Sequence, residues 1–81
     1  MYKNKYGTRN NIAGKNIKQY RLSMPDKMSQ RQLSELMQLH GLDIDKNAIQ
    51  RIESGERFIT DIELLAFSQV LNIEIKDLLK N

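Results

Sequence analysis

Two capping boxes, Ser29–Gln32 and Thr60–Glu63, divide the chain into short helical segments. In each box, a hydroxyl at the helix start and a glutamine or glutamate three residues later can satisfy one another's backbone amides, so each box predicts a helix start. The single proline, Pro25, disfavours helical angles at the residue before it and predicts that an earlier helix closes near Leu22. The chain is thereby restricted to several short helices.

The remaining boundaries come from residues suited to helix caps. Asn10 or Asn11 can cap the first helix, and Asp45 can cap a third one between the two boxes. Gly41 and Gly55 are suited to left-handed stops after the second and third helices.

Apolar residues recur at helical spacing within every segment. The inward positions of this pattern are Ala13, Ile17, Tyr20, Met24, Leu33, Leu36, Met37, His40, Ala48, Ile49, Ile52, Leu64, Phe67, Ser68, Leu71, Ile75, Leu78 and Leu79. Stretches at 42–45 and 72–75 could be extended, but each is too short to build a sheet. Ile62, Leu65 and Val70 widen the apolar face of the fourth helix, which either is buried on several sides or meets a partner. The sequence predicts an all-α domain of five short helices around one core.

Composition argues against several classes of protein. The 81 residues make one small domain, and the absence of cysteine excludes disulfides and thiolate metal sites. The one histidine, His40, suits packing or a charge at a helix C-terminus better than catalysis. The sequence contains neither a glycine-rich phosphate loop nor a histidine–carboxylate cluster, so no motif in it indicates an enzyme. No apolar run suits a membrane span or a secretory signal, so we expect a cytoplasmic domain without cofactor or metal.

Charge is distributed unevenly along the chain. Residues 1–31 carry a net charge of +7, whereas residues 32–81 carry −4. This asymmetry favours a polyanionic partner, although a solvated basic tail would give the same count. Residues 1–11 lack an apolar period and are predicted to be a basic mobile arm, which either is solvated or reaches along DNA. The folded domain is predicted to span 12–81.

The predicted third helix has a polar outer surface of unusual composition. Its outward residues are Lys46, Asn47, Gln50, Arg51 and Ser54. Asparagine and glutamine can pair with adenine edges, and lysine and arginine with guanine, while a helix fits the B-DNA major groove. A solvated polar face is the plain alternative.

Three motifs together carry a resemblance to a known family. They are Ser29-Gln-x-x-Leu33-Ser34, Ala48-Ile49-x-x-Ile52-Glu53-x-Gly55 and Leu64-x-x-Phe67-x-x-x-Leu71-Asn72-Ile73. In this order the chain, over about residues 12–80, resembles the helix-turn-helix family of phage Cro and repressor proteins (the XRE family). The resemblance implies a lambda-repressor-like DNA-binding fold in a protein of bacterial or phage origin. Such a protein is expected to be associated with the nucleoid when it is bound to DNA.

The resemblance also implies roles for individual residues. Lys46, Asn47 and Arg51 match positions that read base edges, and Gln50 lies on the same side. Gln30 matches a residue that touches phosphate and braces the recognition helix, and Ser54 and Arg57 match positions that contact the DNA backbone. Apart from the resemblance, we expect Arg31 and Lys15 or Lys18 to contact phosphates as well. Arg21 and Glu53 match an arginine and a glutamate that pair beneath the recognition helix.

One departure from the family pattern lies between the second and third helices. About five extra residues, 38–42, follow the position of Met37. They predict a second helix that is about one turn longer, with Leu42 and Ile44 anchoring the connection.

The sequence thus predicts a DNA-binding transcriptional regulator, a repressor that reads the major groove of double-stranded DNA with residues 46–54. A homodimer through the fourth and fifth helices would place half-sites about 34 Å apart. The alternative is a protein-binding module on the same fold, such as an antitoxin that binds a toxin. A contact governed by phosphates would weaken steeply with salt, whereas an apolar protein contact would not.

Overall fold

The computed structural model describes residues 5–81, and in them the backbone forms five helices and no strand. The helices are α1 (Ala13–Ser23), α2 (Gln30–Leu39), α3 (Lys46–Ser54), α4 (Asp61–Leu71) and α5 (Ile75–Leu78). One isolated β-bridge joins Tyr6 to Arg9. The all-α fold predicted from the capping signals and the apolar period is confirmed.

The predicted helix starts are made by side-chain caps. Ser29 and Thr60 each accept a hydrogen bond from the third amide of their helix, and the third side chain accepts one from the cap amide in return. Asp45 accepts a hydrogen bond from the amide of Ala48 at 2.8 Å. A cap of this kind contributes about 1 kcal/mol, which matters for helices too short to form on their own.

The helix ends follow the predicted stops as well. α1 ends at Ser23, and Met24 is extended because Pro25 follows it. Gly55, with φ of 89°, closes α3 in the left-handed conformation as predicted. Asn72, which was not predicted as a stop, closes α4 with φ of 55°.

The core is one cluster drawn from all five helices and from the α2–α3 connection. Its buried members are Ala13, Ile17, Leu33, Met37, Ile44, Ala48, Ile49, Ile52, Ala66, Phe67, Leu71 and Leu78. α3 packs against α1 and α2, and α4 packs against α1, α2 and α5. The inner face of α3 is therefore held by two other helices, while its outer face points away from them.

The α1 and α3 backbones meet at Gly14. A Cβ atom on Gly14 would lie 1.9 Å from the carbonyl oxygen of Ile52 and 2.7 Å from Oδ1 of Asn11. That Oδ1 accepts a hydrogen bond from the Gly14 amide at 2.8 Å, so Asn11 caps α1 as predicted. Because no side chain fits at this crossing, the position of α3 on α1 depends on glycine.

The connection between α2 and α3 differs from the prediction in the length of α2 and in the position of His40. α2 ends at Leu39 rather than a full turn beyond Met37, because Gly41 adopts a left-handed φ of 85° and stops it. His40 is exposed at the C-cap of α2 and is not packed. Ile44, which is 1% exposed, and Leu42, which packs against the core, anchor the connection as predicted.

The predicted boundary between arm and domain also shifts. Asn10 and Asn11 hydrogen-bond to the chain that follows α3, and Arg9 bonds to the last turn of α3 itself. The packed part of the chain therefore begins at Arg9 rather than at Ile12, because these side chains find backbone partners more than 40 residues away. Residues 1–4 of the predicted arm lie outside the described residues.

Within residues 5–81, no helix has the length and apolar composition needed to cross a bilayer.

Candidate nucleic-acid interface

The outer face of α3 gathers all five predicted polar residues. Since an α-helix turns by about 100° per residue, these five positions fall within one arc of about 140°. The side chains in this arc are Lys46, Asn47, Gln50, Arg51 and Ser54, and each of these residues is exposed. The opposite arc holds the buried residues Ala48, Ile49, Ile52 and Glu53. The helix is thus divided cleanly into a packed side and a solvent side.

A buried ion pair fixes α3 against α1. Nε of Arg21 donates to Oε2 of Glu53 at 2.8 Å, and Nη2 donates to Oε1 at 2.9 Å. The side chains are 8% and 3% exposed. Nη1 of Arg21 also donates to the carbonyl of Met28 at 2.9 Å, which joins the segment before α2 to the pair. The ion pair that the resemblance implied is present in bidentate form.

Gln30 completes this network from the first turn of α2. Its Nε2 donates to Oε1 of Glu53 at 2.9 Å. The carboxylate thus accepts three hydrogen bonds, two from Arg21 and one from Gln30, so that α1, α2 and α3 are braced at one point. Removal of either charge would leave the other buried without compensation, which typically costs about 3–5 kcal/mol.

Cations on α1 and α2 lie on the exposed surface of the domain. Arg31, in the first turn of α2, makes an exposed pair with Glu35 at 3.4 Å that adds little to stability. Lys15 and Lys18 on α1 are exposed. These side chains remain available to meet phosphates.

The two packed helices α2 and α3, the turn between them and the polar outer face of α3 fit the protein family that the chain matches. The Helix-turn-helix family model matches residues 17–78, well over half of the chain. The chain belongs to the Cro and repressor type (XRE) of helix-turn-helix DNA-binding proteins. No curated protein and no solved structure matches it.

Within this helix-turn-helix domain, α2 and α3 are the two helices of the motif. Gln30 stands at the start of the first and is braced to the second, so its predicted contact with phosphate is compatible with its position. The hydroxyl of Ser54 donates to the carbonyl of Arg51 at 3.1 Å and remains exposed at the end of α3.

Arg57 lies in the loop after the motif, and its guanidinium is already engaged. Nη1 and Nη2 donate to the two carboxylate oxygens of Glu63 at 3.0 and 2.9 Å, and the side chains are 31% and 13% exposed. These hydrogen bonds raise the pKa of Arg57 and lower the pKa of Glu63. The expectation that Arg57 contacts phosphate therefore meets an internal competitor, since Glu63 neutralises its charge.

Two further groups of residues lie outside the predicted DNA-contacting set. Arg9 and Asn11 reach the end of α3, and no local pattern reveals this because their partners lie more than 40 residues away. The exposed apolar side chains of Phe58, Ile62 and Leu65, at 54%, 66% and 49%, form the second group. For this group a signal was visible in the sequence, the wide apolar face of the fourth helix.

Proposed function

We propose that this protein is a sequence-specific regulator that represses transcription by inserting α3 into the major groove of operator DNA. The observation that carries the proposal is the single outward arc of amide and cationic side chains on a helix whose inner side is fixed by the buried Arg21–Glu53 pair. A helix that is held on one side and polar on the other presents a rigid reading surface, and rigidity reduces the entropic cost of binding.

The outward residues divide by chemistry into two kinds of base contact. The amides of Asn47 and Gln50 can each pair with the N6 and N7 atoms of adenine, and Lys46 and Arg51 with the O6 and N7 atoms of guanine. Each well-formed contact discriminates against the wrong base by about 1–3 kcal/mol.

Phosphate contacts supply affinity without sequence preference. Arg31 and Lys15 or Lys18 are the exposed cations suited to this role, together with Gln30 and Ser54 at the ends of the two motif helices. Arg57 joins them only by sharing its guanidinium with Glu63.

A homodimer is proposed from the apolar surface of α4 and the loop before it. Phe58, Ile62 and Leu65 are about half exposed or more. Ile75 and Leu79, in and just after α5, are exposed to a smaller extent, at 37% and 42%. A patch of large apolar side chains on a small domain favours a protein contact, and a two-fold dimer would place two recognition helices about one DNA turn, roughly 34 Å, apart. The same surface supports the alternative of a different protein partner, such as a toxin.

The decisive experiment selects duplexes from random DNA with the full chain at a fixed salt concentration. A repressor dimer of this kind should recover a two-fold sequence with half-sites about 10 base pairs apart. If no duplex is retained above background at low salt, the proposal is wrong.

The readout is then tested with a matched pair of glutamine variants. Gln50→Ala should weaken binding to the selected duplex about tenfold or more and relax the preference at one base pair. Gln19→Ala, at an exposed position on α1 outside the proposed reading and dimer surfaces, should leave both unchanged. Repression is tested separately by placing the selected sequence across a promoter that drives a reporter, where the wild-type protein should lower expression and Gln50→Ala should not.

A further inference from the structure

The C-terminal end of α3 is covered by residues from near the start of the chain. Nη2 of Arg9 donates to the carbonyl of Glu53 at 2.8 Å and to that of Ile52 at 3.4 Å. Nδ2 of Asn11 donates to the carbonyl of Ile52 at 3.0 Å and to that of Arg57 at 2.7 Å. These are carbonyls at or just beyond the last turn of the recognition helix, where backbone acceptors lack partners within the helix.

Asn10 extends this set of contacts into the loop. Its backbone amide donates to the carbonyl of Gly55, and its Nδ2 donates to the carbonyl of Glu56, each at 2.8 Å. We call Arg9, Asn10 and Asn11 the N-terminal clamp, because together they bind five carbonyls between residues 52 and 57.

Arg9 also supplies a positive charge where the helix is negative. The C-terminal end of an α-helix carries a partial charge of about −0.5, which a nearby cation stabilises. The guanidinium lies against the carbonyls that carry this charge and over Gly55, whose added Cβ would lie 2.8 Å from Cζ of Arg9. The end of the recognition helix is thereby neutralised and held in place by one side chain.

We infer that Arg9 is a positioning residue for DNA recognition, which acts by holding the end of α3 and the following loop rather than by contacting DNA. The inference rests on the proposed function. Arg9 is the member of the clamp at which positioning and direct DNA contact can be told apart most clearly, because a cation near DNA is ordinarily expected to bind phosphate. Its Nε and Nη2 are directed at backbone carbonyls of the protein itself, the Nε group donating to the carbonyl of Asn11 at 3.3 Å.

The test compares the wild-type chain with Arg9→Ala, Arg9→Lys and the control Lys5→Ala. Lys5 is an exposed cation in the same segment and belongs to no contact of the clamp. Two quantities are measured at a temperature where circular dichroism shows each protein folded. The first is hydrogen exchange of the amides of residues 55–57 in the free protein, which donate to carbonyls of the last turn of α3. The second is affinity for the selected duplex and for random DNA as a function of salt.

A positioning role predicts a specific pattern. Arg9→Ala should speed exchange at residues 55–57 and lower affinity for the selected duplex about tenfold, because hydrogen bonds to a charged group are lost at the end of the reading helix. Affinity for random DNA and the slope of log affinity against log salt should stay unchanged, since no phosphate contact is removed. Arg9→Lys keeps the charge but not the forked donors, so its exchange rates and its affinity for the selected duplex should lie between those of the wild-type protein and of Arg9→Ala. Lys5→Ala should not change the exchange rates.

Other results would overturn the inference. A decrease in the salt slope of about one for Arg9→Ala, with unchanged exchange, would make Arg9 a phosphate ligand. An unchanged ratio of selected to random affinity would also contradict it, because a loss of stability alone does not alter the preference of the folded molecules. If Arg9→Ala does not fold, Arg9→Lys decides by the same criteria. If the wild-type chain selects no DNA, the proposed function fails, and unchanged exchange at residues 55–57 would separately refute the clamp.

Discussion

Replacement of Gly14 by alanine tests the backbone contact between α1 and α3. In an ordinary helix this change is favourable by about 1 kcal/mol, because alanine has the higher helix propensity. Here the new Cβ would lie 1.9 Å from the carbonyl oxygen of Ile52, so α1 and α3 must separate by more than 1 Å to reach ordinary van der Waals distance. Both the clash and its relief therefore act on α3, the helix proposed to read DNA.

The cost can be worked from the contacts at this crossing. Overpacking of a close contact costs about 1–3 kcal/mol, and relief by separation disturbs the hydrogen bonds that Asn11 makes to Gly14 and Ile52, each contributing about 1 kcal/mol. After subtraction of the gain in helix propensity, Gly14→Ala should lower the free energy of unfolding by about 2–4 kcal/mol. For a domain of this size, each kcal/mol corresponds to a decrease in Tm of about 4–8 °C.

The assay is urea and thermal unfolding followed by circular dichroism, with a matched pair at Gln19, an exposed position on the same helix. Gln19→Ala should be more stable than Gln19→Gly by about 1 kcal/mol, which is the ordinary order of these two residues. At position 14 the order should be reversed. If Gly14→Ala is as stable as the wild-type protein or more so, the close approach of α1 and α3 is refuted.

Three further predictions concern the ion pairs and the apolar surface. Glu53→Gln should lower the free energy of unfolding by about 3–5 kcal/mol in urea titrations, because it leaves the Arg21 charge buried, whereas Glu35→Gln at an exposed pair should change it by less than about 1 kcal/mol; equal effects would contradict the bracing role. The lowered pKa of Glu63 in the folded state means that its pair with Arg57 stabilises at neutral pH and that this contribution is lost as the pH falls through that lowered pKa. Glu63→Gln should therefore flatten the acid limb of the stability curve by about 0.5–1 kcal/mol, and an unchanged limb would count against the pair. Ile62→Lys should shift the protein towards a monomer in sedimentation equilibrium and weaken operator binding, while the monomer stays folded by circular dichroism because Ile62 is 66% exposed in the single chain; an unaltered association state would exclude this face as the dimer contact.

The helix boundaries could be predicted because the signals that set them are local. Ser29 and Thr60 each find their capping partner three residues away, and Gly55 adopts its left-handed conformation through its own φ angle. The inward positions of α3 follow in the same way from a period that the sequence displays directly. The outward residues of the candidate site are the remainder of that pattern, so their exposure was predictable as well.

Features that depend on two distant segments could not be predicted from such local signals. Gly14 looks like an unfavourable residue inside a helix until Ile52 is brought against it. Arg9 looks like part of a basic tail, and only the folded chain places it at the end of α3. The pairing of Arg57 with Glu63, which lie only six residues apart, was missed for a different reason, because either residue alone fits another role. The Arg21–Glu53 pair is the exception, since a family resemblance supplied the long-range information.

The separation of α3 into a packed side and a solvent side has an evolutionary consequence. Substitutions at Lys46, Asn47 and Gln50 disturb no core packing, so new combinations can arise there without loss of the fold. Under gene duplication, paralogues could diverge in the promoters they occupy while sharing one unchanged scaffold. A library randomised at these positions should consequently yield mostly folded proteins with altered target preferences.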